Sequence, residues 1–241
     1  PFAPIKAEEY ASDTLWTLLN SALDVTGSPN EKLQQLFHRV LWGNRIDLSF
    51  AAAMKRGTVV DADDLLVDNS QPAVKHLLAH KGTVHLIADN AGTELAMDLA
   101  LIDAVLNNDL ATNAVLHLKL HPTFVSDATP ADVWIFLDML VENGADTAQL
   151  GQRLRAAIAT GRLRLIPNLY WNSSRLLWDM PPNLHRALQK AALVIIKGDA
   201  NYRRMVGDAI WSTDTSFKAV VDYFPAPLLA LRVLKSEPIV G

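Results

Sequence analysis

The sequence predicts an α/β fold: a three-layer sandwich in which a mostly parallel sheet is covered by helices on both faces, preceded by a helical N-terminal segment. Three observations predict it. The first forty or so residues are helical in pattern. After about Asp47, short apolar runs alternate with segments of helical spacing. Neither an internal repeat nor a low-complexity linker breaks that series, so the helical start is expected to pack on the same domain.

The elements follow in order. From Glu8 to about Leu41 the apolar residues Leu15, Trp16, Leu18, Leu19 and Leu23, then Leu33, Leu36, Phe37 and Val40, recur near helical spacing. Between them Gly27-Ser-Pro-Asn30 is a turn, with Ser28 or Asn30 as a cap. Six runs read as strands: Leu65–Val67, Thr83–Ala88, Ala114–Leu118, Leu163–Ile166, Leu193–Lys197 and Leu228–Leu234. The stretches Pro72–His80, Thr93–Leu106, Pro130–Asn143, Thr147–Thr160 and Pro182–Ala192 read as helices. The reading is one domain over residues 1–241, with 1–46 as its helical lead-in. The start without methionine and the stop directly after a strand-like segment suggest a fragment lacking further N-terminal helices.

Composition narrows the function. The chain has 241 residues and a formal charge of -4, and its 22 basic residues are spread instead of clustered, so neither nucleic acid nor membrane is the expected partner. Small molecules are. Cysteine is absent, which removes disulfides, thiolate ligands and cysteine nucleophiles and agrees with a reducing, cytoplasmic setting. No apolar run reaches the roughly 18 to 20 residues a membrane span needs. Serine-hydrolase elbow, Walker and dinucleotide motifs are missing.

In an open doubly wound sheet, ligands bind beyond the carboxyl ends of the strands. Three polar clusters fall there: Asp89-Asn-Ala-Gly-Thr-Glu94, Phe124-Val-Ser-Asp127 and Lys197-Gly-Asp-Ala-Asn-Tyr-Arg-Arg204. Asp89, Asn90 and Asp127 offer two carboxylates and an amide oxygen, which suit magnesium or manganese better than zinc. The competing reading is that these residues are helix caps, with Thr129 or Asp127 capping the helix at Pro130. Gly92 permits close backbone approach, and Glu94 adds an acceptor for a sugar hydroxyl. Lys197, Arg203 and Arg204 supply cations where a phosphate could be clamped; alternatively, the two arginines form a solvated helix face paired to Asp208. Arg232 and Lys235 fall on opposite sides of a regular pleat. His117, Lys119 and His121 alternate, which reads as partly exposed packing more than as a ligand set.

Taken together, Leu41-Trp-Gly-Asn-Arg-Ile-Asp-Leu-Ser49, Asp89–Leu95, Phe124–Asp127, Lys197–Arg204 and Arg232-Val-Leu-Lys235 occur in the order seen in the damage-control phosphatases, once called domain of unknown function 89. The chain resembles their acidic-residue-methyltransferase-like branch, which carries an Arg-Thr-x-Lys signature; here Val233 replaces the hydroxyl residue. The resemblance implies a phosphatase supported by manganese, cobalt or nickel, magnesium also being suitable. It would hydrolyse sugar phosphates such as fructose 1-phosphate and fructose 6-phosphate. It implies Asp89, Asn90 and Asp127 as metal ligands, with Asp89 and Asp127 catalytic, and Glu94, Asp199, Asn201, Tyr202, Arg203 and Lys235 as substrate contacts. Whether water or an aspartate attacks stays open, as does the oligomeric state. Two other readings follow: an S-adenosylmethionine-dependent methyltransferase acting on protein glutamates, ranked second, and a non-catalytic sugar-phosphate binder.

Overall fold

The structure is a computed structural model that describes residues 2–53 and 65–238, with backbone alone for 44–53. Five parallel strands form one sheet in the order β3-β2-β1-β4-β5: β1 (Thr83–Ile87), β2 (Asn113–Leu118), β3 (Leu163–Pro167), β4 (Ala191–Lys197) and β5 (Leu228–Leu231). The chain builds outward from β1 through β2 to β3, then crosses back to lay β4 on the other side of β1. The carboxyl ends of β1 and β4 therefore flank the topological switch point, where such sheets open a crevice.

The side-chain period of two sorts the strand residues onto two faces. Val84, Leu86, Leu193, Ile195, Leu229 and Leu231 face a core shared with α2 (Asp13–Leu23), α3 (Pro29–Ala53), α4 (Ser70–Ala79), α5 (Thr93–Asn107), α6 (Pro130–Met139) and α7 (Ala145–Ala159). Ile87, Val194 and Ile196 face a second core with α8 (Pro182–Leu188), α9 (Asp199–Met205), α10 (Phe217–Val220) and the 3-10 turn Leu169–Asn172. The short α1 (Ala3–Tyr10) precedes them all. α2 and α3 pack on α5, which is buried over nearly its whole circumference. Its acidic residues must therefore be paired, and Arg153 grips Asp103 through Nε and Nη2 at 2.7 to 3.1 Å.

The three-layer prediction holds, with corrections at its margins. The strand expected at Leu65–Val67 does not form: Leu66 and Val67 are 77% and 73% exposed, so that run has no apolar face with which to join the sheet. α3 continues past Asp47 to Ala53. α8 stops at Leu188, short of Ala192, because Ala191 already pairs with Thr83 of β1. β5 ends at Leu231, and α6 ends at Met139. In the segment Leu41–Ser49, the side chains from Asn44 onward lie outside the described residues. Among the described residues no helix is long and apolar enough to cross a membrane.

Behind the sheet, His85 and His117 form a buried pair, Nδ1 to Nε2 at 2.9 Å, with Trp171 edge-on to His117. The partly exposed packing expected of His117 is therefore corrected to full burial. Burial, then the Arg164 charge, pushes His85 down to about 4; burial, then His85 and Arg164, pushes His117 down to about 3. In the unfolded chain both titrate near 6.5. As pH falls below that value, the unfolded chain takes up protons that the folded chain refuses. The stability present above pH 6.5 is then lost toward pH 4 at about 1.4 kcal/mol per pH unit for each imidazole. Urea midpoints measured from pH 7 to pH 4.5 should fall accordingly, and a His85→Gln, His117→Gln double variant should flatten that slope.

Candidate active site

Two loops at the carboxyl edge of the sheet are zipped together by backbone. Ala91 N–H donates to the Ser126 carbonyl at 2.6 Å, Ala128 N–H to the Asp89 carbonyl at 3.0 Å, and Lys119 N–H to the Ala128 carbonyl at 3.1 Å. Asn90 and Asp127 face each other in an isolated antiparallel bridge. This zipper brings position 127 beside positions 89 and 90 although 29 residues of chain separate the two clusters.

The side chains converge on shared partners. The Lys119 ammonium bonds Asp127 Oδ1 and lies 3.6 Å from Asp89 Oδ1. Asn90 Nδ2 reaches Asp89 Oδ2 at 3.4 Å and Glu94 Oε2 at 3.0 Å, while Asn90 Oδ1 accepts the Ser126 hydroxyl at 2.8 Å. Asp127 Oδ2 accepts the N–H groups of Thr123 and Phe124, both at 2.8 Å. Of the two caps offered for the helix at Pro130, Thr129 forms and Asp127 does not. The cap of α6 is Thr129, whose N–H and hydroxyl close onto Asp132 Oδ2 at 2.8 and 2.6 Å; the N-cap of α5 is Gly92. None of the three candidate ligands is spent on a helix end.

Carboxylates crowd the site. Among the described residues, Asp89, Glu94, Asp98 and Asp127 lie around the switch point with two ammonium groups, Lys119 and Lys197, all buried. Burial, then Glu94 and Asp127, pushes Asp89 up to about 7 against the pull of Lys119. Burial likewise raises Asp98 to about 7. Excess acid out of contact with water is stabilised by protons or by a cation.

Lys197 does not face the crevice as a phosphate clamp. Completely buried, it points to α5 and holds Glu94 Oε1 at 3.0 Å and Asp98 Oδ1 at 2.8 Å. Burial works against its charge, but Asp98 and Glu94 outweigh burial and hold its pKa above the ordinary lysine value. Lys197→Met would take the shared ammonium from two buried carboxylates, and a broken buried pair costs about 3–5 kcal/mol. Urea denaturation should register a loss of that size.

The third cluster is organised by Arg232. Its Nε donates to Asp199 Oδ1 at 2.7 Å, its guanidinium lies 4.2 Å from the centre of the Tyr202 ring, and Ser236 donates to Asp199 Oδ2 at 2.6 Å. The strand has already ended at Leu231, so the pleat argument for Arg232 and Lys235 does not apply; Lys235 is exposed on the segment beyond. Asn201 is buried, donating to the Lys197 carbonyl at 3.0 Å. Arg203 closes on Asp208 at 2.6 and 2.9 Å, as the solvated-face reading expects, while Arg204 turns inward over Tyr170. α1 reaches the same edge: Lys6 donates to Asp132 at 2.7 Å and to the Asp127 carbonyl at 2.6 Å, and Glu9 accepts Thr93 N–H at 2.7 Å.

With this geometry established, comparison with known proteins is decisive. The sequence profile of the damage-control phosphatase ARMT1-like domain matches residues 1–241. The chain belongs to the ARMT1-like damage-control phosphatase family. It is 34% identical to damage-control phosphatase ARMT1 of Bos taurus over 83% of this chain and 50% of that protein. It is 33% identical to the Mus musculus protein over 95% and 58% of the two lengths, and 32% identical to the Danio rerio protein over 100% and 59%. The chain thus spans about half to three-fifths of these ARMT1 relatives.

For the ARMT1-like chain, the donor set can be tested against a divalent cation. Among the described residues no three carboxylates, imidazoles or thiolates surround one point. The set is two carboxylates and an amide oxygen, all hard donors, with further buried carboxylates beside it, and this fits magnesium or manganese with water completing the shell. Sequence reading took Lys119 for partly exposed packing, whereas it is buried in the site, and overlooked Asp98, Lys6 and Glu9. For Lys119 one signal was present: it stands directly after the last residue of β2, at the edge where the acidic loops gather. For Lys6 and Glu9 none was, because α1 is separated from the site by about eighty residues of chain.

Proposed function

We propose that this chain carries the metal and phosphate site of a divalent-metal-dependent phosphatase that hydrolyses sugar phosphates such as fructose 1-phosphate in metabolite damage control. One observation carries the reading: Asp89, Asn90 and Asp127 gather at the switch point in a buried, carboxylate-rich setting. These three residues would hold the cation, with manganese the first choice and cobalt, nickel or magnesium as alternatives. Bound there, the cation supplies Lewis-acid polarisation of a phosphoryl oxygen and offsets charge in a loose transition state.

The chain's own groups do the rest. Two backbone N–H groups lock one oxygen of Asp127, so the other faces the site without reorganisation. Glu94 and Asp199, as acceptors, suit sugar hydroxyls, and Asn201 and Tyr202 sit on the same short helix as Asp199. Lys235, carried over from the family signature, would meet phosphate oxygens, and Arg203 would join it by releasing Asp208.

A screen of phosphorylated sugars with manganese, magnesium and chelator tests the proposal. Phosphate release that manganese stimulates and chelator abolishes is the expected result. Tight S-adenosylmethionine binding with no cation requirement, or thermal stabilisation by sugar phosphates without turnover, would overturn it.

A further inference from the structure

Asp127 is nearly inaccessible to solvent, and its two oxygens have different fates. Oδ2 is filled by the N–H groups of Thr123 and Phe124. Oδ1 is the oxygen left for a cation, and the Lys119 ammonium is already on it, with Asp89 Oδ1 3.6 Å away. A divalent cation and an ammonium sharing one buried oxygen repel each other strongly. The lysine is anchored at its backbone by Ala128, but its four-carbon stem is flexible, and its Nζ lies 6.0 Å from the ring of Phe124, which is 66% exposed. A route toward solvent is therefore at hand. What would draw the ammonium along it is an anion with several acceptor oxygens, able to bond the lysine and the cation together.

We infer that Lys119 couples the two ligands of the site: its ammonium stands in for the cation on Asp127 until a phosphate takes it over, so that phosphate and divalent metal bind together. The inference rests on the metal-phosphatase reading. Because coupling between two binding events is reciprocal, phosphate tightens the metal by the factor by which metal tightens phosphate. With Lys119 on it, Asp127 also keeps a cationic partner when no ion is present.

The test is a manganese titration by calorimetry, with and without inorganic phosphate, on the wild-type chain, Lys119→Met and Lys119→Arg. In the wild type, phosphate should tighten manganese by about tenfold or more. Lys119→Met should bind manganese about tenfold more tightly than wild type when phosphate is absent, and its phosphate effect should shrink below about twofold. Lys119→Arg keeps the charge and should keep the coupling. Circular dichroism verifies folding, and Lys119→Gln, polar and uncharged, carries the test if the methionine variant does not fold. Equal or weaker manganese binding by the uncharged variant, or an undiminished phosphate effect, overturns the inference while leaving the phosphatase reading intact. If the wild-type chain binds no manganese at all, the metal reading itself fails and the inference falls with it.

Discussion

Asp127→Asn should lower metal-stimulated phosphate release by about 100- to 1,000-fold, the scale on which a single preorganised electrostatic group acts in a buried site. The change is nearly isosteric, yet the surroundings dictate its orientation. Thr123 and Phe124 present two N–H donors to one oxygen of the native carboxylate, so the asparagine carbonyl must take that place. Its NH2 group then points at Lys119 and at the space a cation would fill, where a donor meets a positive charge. The zipper of backbone bonds between the two loops does not involve this side chain, so the loops should stay paired, with some stability lost because buried Lys119 gives up this carboxylate partner. Manganese-stimulated release, measured beside a circular dichroism melt, separates the effects. Most of the activity retained in a folded variant would count heavily against Asp127 as a ligand.

Gly198→Ala should be the most damaging of the glycine substitutions. Gly198 has φ +84° and ψ 164°, a region that residues with a Cβ reach only at a cost of about 1–3 kcal/mol. An added Cβ would stand 1.9 Å from Asp89 Oδ2 and 2.4 Å from its Cγ, so the carboxylate must move off the site. Gly161 supplies the control, since it also has positive φ, +75°, but nothing lies within 4 Å of its added Cβ. Urea denaturation and manganese titration of both variants should show a stability loss in each. Loss of manganese binding should follow only at position 198.

Much of the frame was legible because burial dictates it locally. Runs such as Leu193–Lys197 and Thr83–Ala88 are apolar on both sides and can only be interior strands, and Thr93–Leu106 is helical and buried nearly all round. Where the reading slipped, pairing overrode pattern. Leu65–Val67 looks like a strand but finds no strand partner among the described residues, and Ala191 leaves the preceding helix because β1 offers a ladder. The same contrast holds at the site. Asp89 and Asp127 were recognisable by their place after apolar runs, but the charge state of their surroundings was not. It depends on Lys119 and Lys197, which resemble ordinary strand-end lysines until the sheet turns one toward the acidic loops and buries the other against α5.

The sequence by itself determined the layers, the edge on which the polar clusters gather and the family whose motifs they carry, because apolar period and strand-end position are properties of neighbouring residues. Only the tertiary structure decided that Asp127 is no helix cap, that Arg232 and not Arg203 grips Asp199, and that Lys119 sits between the candidate ligands. Those outcomes depend on which distant groups the fold removes from water together, and the energy of a buried charge is set by the partner it meets there, not by its neighbours along the chain.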